Sequence, residues 1–324
     1  MRLFSVVARV LVLLLVLDMS AAAQTYPDKP VRIVVPFAAG GITDILARAL
    51  AQQLTNRWGQ QVIVENRPGG NSLIGAEYVM RSAPDGYTLL VSADTTFVMA
   101  PHLYSNLKYD PLQDFVPITG LGESPQALVV HPGVPVGSVA DLIAYGHKQP
   151  GALNYGTFGI GSSGHLNVEL IQMMTGARFT PVHYGGATPA INDLLGGHIQ
   201  FMTVSIGLVA QPWQAGLLKV LAIGSKNRLK QFPDTPTLAE SGLQGFETGS
   251  WYGLVAPKDT PPDVVAKISK DTQTSFSDDV FVKKTLEPSF IYSIASDPAS
   301  FSDMMRRESE KWKKVIDAAN IKVE

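Results

Sequence analysis

The segment Val31-Arg32-Ile33-Val34-Val35 constrains this chain more than any other. A near-continuous apolar run of this length suits a strand covered on both faces. Pro36 to Gly41 breaks the run. Asp44 to Trp58 then has helical spacing, with Ile45, Leu46, Ala49, Leu50 and Leu54 on one face. Gln61 to Glu65 reads as the next strand, Ile74 to Ser82 as a helix and Thr88 to Ser92 as a third strand. A βαβαβ opening implies an α/β fold with a parallel sheet and right-handed crossovers.

The middle of the chain reads as a second α/β unit. Val116 to Gly122 and Ala127 to His131 are expected as two strands, split by Glu123-Ser124-Pro125 at a passage between domains. Helices are expected over Val139 to His147, His165 to Thr175 and Thr188 to Leu195. Strands are expected at Asn154 to Gly156, Pro181 to His183, His198 to Val204 and Val220 to Ile223. Thr248 to Pro257 carries Trp251-Tyr252-Gly253-Leu254-Val255, a strand returning to the first unit. The chain is mostly helical from Pro261. The last helix places Phe301, Met305, Trp312, Val315 and Ala319 on one face, as core packing. The expected partition is one lobe over 24–123 with 252–324, and an inserted lobe over 124–251. Two lobes joined by two crossing strands, with a cleft between them, is the geometry of a hinge-closing binder.

Composition narrows the function classes. The 324 residues suggest two domains. With 45% apolar and 17% charged residues the chain is not a disordered one. The net charge of −2 argues against a nucleic-acid partner. There is no cysteine, hence no thiolate metal site or cysteine nucleophile. Arg2 and Arg9, the apolar run Val10 to Leu17 and then Ala21-Ala22-Ala23 read as an export signal cleaved near Ala23. The mature chain is therefore expected in the periplasm, where ATP- or NAD-dependent chemistry is out of place. Neither a cofactor nor a metal is expected.

Three loops carry the candidate site. Pro36-Phe37-Ala38-Ala39-Gly40-Gly41-Ile42-Thr43-Asp44 lies between a strand and a helix, where free N–H groups and the positive helix end face an anion. The same segment also fits a tight turn with Thr43 or Asp44 as N-cap, and Asp44 has Arg48 four residues on for an ion pair. The second loop runs from Thr157 to His165. Gly159, Gly161 and Gly164 match GxGxxG, but a dinucleotide site wants an acid about 20 residues further on. Ala177 to Gly186 contains none. An anion site at Gly161 with the Ser162 and Ser163 hydroxyls fits better, beside the alternative of a Ser cap on a glycine-rich turn. His165 suits either a ligand contact or a packed role. Tyr184-Gly185-Gly186 is the third loop, offering N–H groups and a phenol. Ser92 and Thr95 close the third strand, where α/β sheets bind ligands. Glu65 to Gly70 reads as a structural turn, and Gly196-Gly197 as a helix stop.

In this order and spacing the segments resemble the Bug family of extracytoplasmic solute receptors, the binding proteins of tripartite tricarboxylate transporters. The carriers are Pro30 to Phe37, Ala39-Gly40-Gly41, Thr43-Asp44 with Ala47-Arg48, and Glu65 to Gly70. Further along come Asp85 to Leu89, Asn154-Tyr155-Gly156, Gly164-His165-Leu166, Asp193 to Gly197 and Trp251 to Leu254. The resemblance implies a two-lobed periplasmic-binding-protein fold of type II. It implies a carboxylate held by loop N–H groups, hydroxyls and water, with one carboxylate on Ala39 to Thr43 and another group near Gly161 to Ser163. The family's Tyr-Lys-Gly is Tyr184-Gly185-Gly186 here, and its Asp-Asn pair is Thr203-Val204-Ser205, which marks Thr203 as a candidate and a different distal group. The expected activity is capture of a small carboxylate, a dicarboxylate or an aromatic acid packed by Phe37, Phe158 or Tyr184. The captured acid is then delivered by a monomeric receptor to membrane transporter subunits, with no chemistry on the ligand. Two alternatives remain at this point: a secreted serine hydrolase, and a ligand-sensing partner of a membrane sensor kinase.

Overall fold

The computed structural model describes residues 26–319 and 321–323. The stretch read above as an export signal lies outside the described residues. Among those described, no helix is long and apolar enough to cross a membrane.

Strand β1 (Val31–Val35) is buried as its composition requires, with only Arg32 exposed. It pairs in parallel with β2 (Val62–Asn66) and β3 (Thr88–Ala93). Helix α1 (Ile42–Trp58) and helix α2 (Leu73–Met80) make the crossovers. Beyond β3 a π-helical turn at Thr95–Met99 starts with the Asp94 carboxylate accepting the Thr95 N–H.

The two expected strands after Phe115 are one, β4 (Phe115–Val130). Its first part, to Pro125, pairs antiparallel with β9 (Gly249–Pro257). From Gln126 it pairs with β7 (Phe201–Ser205) and β8 (Lys219–Ile223) instead. Pro125, which has no N–H to donate, stands where the strand changes partners, so it marks the exchange without ending the strand. The second half of the sheet adds β5 (Asn154–Thr157) and β6 (Thr180–His183), parallel to each other, with β5 also parallel to β7. The order is β2-β1-β3-β9-β4-β7-β5-β6, and β9 pairs antiparallel with β3.

Helices cover both faces of each half. In the first half, α1 and α7 (Pro262–Phe276) pack on one face around Leu46, Leu50, Ile268 and Phe276. The other face holds Phe97, Trp251 and α8 (Pro298–Ala319) through Phe301, Met305 and Trp312. The glycine at 253 permits this: a Cβ there would lie 2.0 Å from the Phe301 ring. In the second half, α3 (Val139–Lys148) and α4 (Ser163–Thr175) share one core with Tyr155 and Phe201. Helices α5 (Ala187–Leu195) and α6 (Ile206–Gln214) share the other. Helix α6 has no counterpart in the sequence reading, because Pro212 in its last turn hides its helical pattern.

Candidate functional site

A cavity of about 90 Å3 opens where the carboxyl ends of β1, β3, β5, β6 and β7 face one another. That is the usual ligand position in open α/β sheets.

From the first half come Phe37, Gly41, Ile42 and Thr43 of the β1–α1 loop, with Ala93 and Thr95 after β3. From the second half come Phe158, Ser163, Gly186 to Pro189, Val204, Ser205 and Leu208. Ser250 and Tyr252 of β9 complete it. Four helices therefore begin at the cavity: α1, α4, α5 and α6. Gly41 caps α1 with extended backbone and no side-chain hydrogen bond, and Gly186 caps α5 likewise without one. A Cβ on either glycine would meet nothing within 4 Å. Both helix starts thus keep backbone bare toward the cavity, where their amide dipoles favour an anion.

The deep wall is a hydroxyl and amide network. The Gln126 amide donates to Ser163 Oγ at 2.7 Å and to Ser250 Oγ at 2.8 Å, and the two serines are 2.9 Å apart. The Gln126 carbonyl accepts from Asn167 Nδ2 at 2.7 Å, and Asn167 Oδ1 accepts from Thr248 at 2.7 Å. Ser205 Oγ and the Tyr252 hydroxyl lie 3.4 Å apart. These groups are buried and bonded among β4, β9 and α4, so their orientation is fixed before any ligand arrives. Burial, and then the nearby Asp94 carboxyl, raise the Tyr252 phenol, which stays protonated.

Of the residues expected from sequence, Phe37, Gly41, Thr43, Thr95, Phe158, Ser163 and Gly186 line the cavity. The others stand behind it. Gly40 gives its N–H to Asp44 Oδ2 at 3.1 Å, and Ala39 precedes it outside the lining. Asp44 also accepts from Arg48 Nε at 2.9 Å and from Asn66 Nδ2 at 2.9 Å. Burial alone raises this carboxyl, but the hydrogen bonds from Arg48, Asn66 and Gly40 outweigh it and hold the pKa low. Asp44 is an ionised strut for the first loop, not a cap of α1. Ser162 caps α4, accepting the His165 N–H at 3.3 Å. His165 Nδ1 accepts the Gly161 N–H at 2.9 Å, so that amide is not free for a ligand. Burial, with His183 nearby, lowers His165 to about 4, so it is neutral at neutral pH. Ser92 bonds Thr96, and Thr203 donates to the Gly164 carbonyl at 3.1 Å. The Tyr184 hydroxyl donates to Asp193 at 2.7 Å, and burial with that bond pushes it up to about 12. Tyr184 lines an outer groove of about 440 Å3 instead. Phe37 and Phe158 line both spaces and form the wall between them.

Sequence reading missed Gln126, Ser205, Leu208, Ser250 and Tyr252. The signal for the last two was their place on a strand crossing between the halves, with Tyr252 also inside the resembling segment Trp251 to Leu254. The serine hydroxyls bond an amide, each other or backbone, and neither Ser162 nor Ser163 has an imidazole partner. Among the described residues no cluster of three or more His, Asp or Glu is arranged to hold a metal.

The family model described as "Tripartite tricarboxylate transporter family receptor" matches residues 46–321. Protein BugT of Bordetella pertussis is 34% identical over 296 residues, 91% of this chain and 90% of BugT. The solved structure of R. palustris Rpa4515 with adipate is 33% identical, with a TM-score of 0.88 over 92% of this chain and 99% of that one. The structure of the periplasmic binding protein BugD is also 33% identical, with a TM-score of 0.86 over 92% of this chain and 99% of its own.

Proposed function

Because the chain belongs to the tripartite tricarboxylate transporter family of receptors, we propose that its cavity captures a small carboxylate in the periplasm and delivers it to membrane transporter subunits. A receptor of this family binds its substrate and does not transform it. Adipate bound to a similar structure supports an acid as the ligand here. The observation that carries the reading is the meeting of four helix starts, two of them bare glycine caps, on one cavity that also offers oriented hydroxyls. Each helix start carries about half a positive charge. Four of them sum to about two, which suits a dicarboxylate. Phe37, Phe158 and Leu208 pack its apolar body, and they would equally pack an aromatic acid.

The mechanism is closure about β4 and β9. One lobe is 24–123 with 252–324, and the other is 124–251. Ligand contacts from both lobes favour the closed form. Asn71 Nδ2 already reaches across to the Ile160 carbonyl at 2.8 Å, at the mouth of the outer groove.

The test is thermal unfolding of the mature chain against mono- and dicarboxylates and aromatic acids. A ligand at about 100 times its Kd stabilises by roughly 2.7 kcal/mol. A dose-dependent rise with one acid, recovered unchanged, is the expected result. No rise with any acid would end the carboxylate reading.

A further inference from the structure

Resting on the receptor reading above, we infer that Asn71 is a gate residue: its amide pins the mouth between the two lobes and slows both uptake and release of the ligand. The turn that carries it is strained and firmly held. Gly69-Gly70-Asn71-Ser72, between β2 and α2, has four successive residues of positive φ, with +52° at Asn71 and +80° at Ser72. Residues other than glycine seldom adopt that region. Such backbone persists where the surroundings fix it, and it gathers at functional places. Ser72 is the anchor. It is 1% exposed, and its Oγ accepts from Thr96 Oγ1 at 2.8 Å. Thr96 is fixed in turn by Ser92 Oγ at 2.5 Å and by the Tyr109 hydroxyl, which donates to the Thr96 carbonyl at 3.2 Å. The turn is therefore a rigid arm of the first lobe, and Asn71 is its tip.

The tip meets the second lobe. Asn71 Nδ2 donates to the Ile160 carbonyl at 2.8 Å. Gly159 is the seat: a Cβ there would lie 2.5 Å from Asn71 Oδ1, so its absence lets the amide rest on the loop. Beside it, Leu103 of the first lobe closes on Gly161, where a Cβ would lie 2.2 Å from Leu103 Cδ1. The glycines of Thr157 to His165 thus receive the first lobe, which gives that motif a use other than cradling an anion.

Position gives this bond leverage. Among the described residues, the other side-chain hydrogen bonds between the lobes join Ser205 to Tyr252 and Gln231 to Tyr292, each at 3.4 Å. Tyr252 is on β9, and the segment of Tyr292 pairs with β4. Both bonds sit at the strands that join the lobes, where rotation moves them little. Asn71 follows β2, the outer strand of the sheet, and Ile160 follows β5 toward the opposite end. A rotation about β4 and β9 carries these two residues much further apart. Neither lines the cavity, so the bond does not depend on what the cavity holds. A ligand arriving and a ligand leaving wait for the same opening, and the bond opposes that opening in both cases.

Asn71→Gly tests this, because glycine keeps the positive φ and removes the amide, so the fold is expected to be retained. The first readout needs no ligand. The Gly161 N–H bonds His165 Nδ1 and the Ser162 N–H bonds the Gly159 carbonyl, all within the second lobe. Hydrogen exchange at these two amides is expected to run about fivefold faster in Asn71→Gly, although the substitution is in the other lobe. Asn71→Asp keeps the side chain's shape, tolerates the left-handed backbone and loses the donor, and it is expected to exchange as fast as Asn71→Gly. The second readout is stopped-flow binding with adipate as the probe. Association and dissociation are both expected to be about fivefold faster in Asn71→Gly, with Kd changed by less than about twofold. A residue that held the ligand itself would move Kd instead. Either readout unchanged in a folded Asn71→Gly would overturn the inference, and so would a weaker Kd carried by dissociation alone. Adipate failing to bind the wild-type chain would count against the carboxylate reading, and the exchange readout would then decide the gate by itself.

Discussion

Two glycine-rich loops of this protein look alike in sequence and serve different ends. The first, Pro36 to Asp44, and the second, Thr157 to His165, each follow a buried strand and open a helix. In the first, Gly40 and Gly41 have empty space where a side chain would stand. In the second, a Cβ on Gly161 would lie 2.2 Å from Leu103 Cδ1, and one on Gly164 would lie 2.5 Å from the Phe158 ring and 2.9 Å from the Thr203 carbonyl. In the first loop Gly41 leaves backbone open to the cavity while Gly40 gives its N–H to Asp44, and the second loop's glycines let the chain close on itself. The same residue type leaves backbone open to the cavity in one place and permits tight packing in the other. The difference lies in what the neighbouring elements fill.

The largest effect that tests this contrast is on the packed loop. Gly161→Ala places a side chain at φ +73° and against Leu103. The unfavourable backbone and the overpacking together are expected to cost about 2–4 kcal/mol in chemical unfolding. An unchanged midpoint would mean that the loop is not packed as described. The next effect is on acid stability through His165, which belongs to the same loop. Its folded pKa is lowered to about 4 by burial and by His183, from an ordinary 6.5. The unfolded chain binds the proton more readily, so stability is full above pH 6.5 and is lost as pH falls toward about 4. Melting temperatures across that range should fall less steeply in His165→Gln.

The open loop should respond the other way. Gly41 has φ −81°, which alanine adopts freely. Gly41→Ala is expected to change stability by less than about 1 kcal/mol and to weaken carboxylate binding by about tenfold or more, read by titration. Loss of stability with intact binding would reverse the assignment of the two loops. The smallest effect belongs to Ser163, the one hydroxyl of the second loop that reaches the cavity. Ser163→Ala removes one neutral hydrogen bond of about 1 kcal/mol, and a roughly fivefold loss of affinity is expected. Ser162→Ala, by contrast, should lower stability and spare affinity, because Ser162 caps α4.

Much of the fold was legible from pattern. The apolar run of β1, the glycines that follow it and the period of α1 specify a strand, a loop that reaches the cavity and a helix within a short stretch. Thr43, Thr95 and Ser163 were legible for the same reason, since each sits just beyond the carboxyl end of a strand. Ser250 and Tyr252 were not, because on β9 they alternate within a run that is buried throughout and read as core. Gln126 was hidden similarly: an amide inside β4 gives no local hint that it will join Ser163 and Ser250 from distant parts of the chain. Pro125 and Pro212 misled in the usual sense of proline as a terminator, one at an exchange of strand partners and one in a last helical turn. Gly161 and His165 were legible as a loop, but their role depends on Leu103 and the imidazole closing the space, which spacing alone does not encode.

The most direct measurement is a carboxylate titration followed by amide nitrogen–proton correlation spectra of the mature chain. The largest shifts are expected on Gly41, Ile42 and Thr43 and on Gly186 to Thr188, with Gly159 and Gly161 nearly still. Shifts centred on Gly159 to Ser162, with the first loop unmoved, would contradict the central claim that the bare helix starts of α1 and α5 hold the ligand.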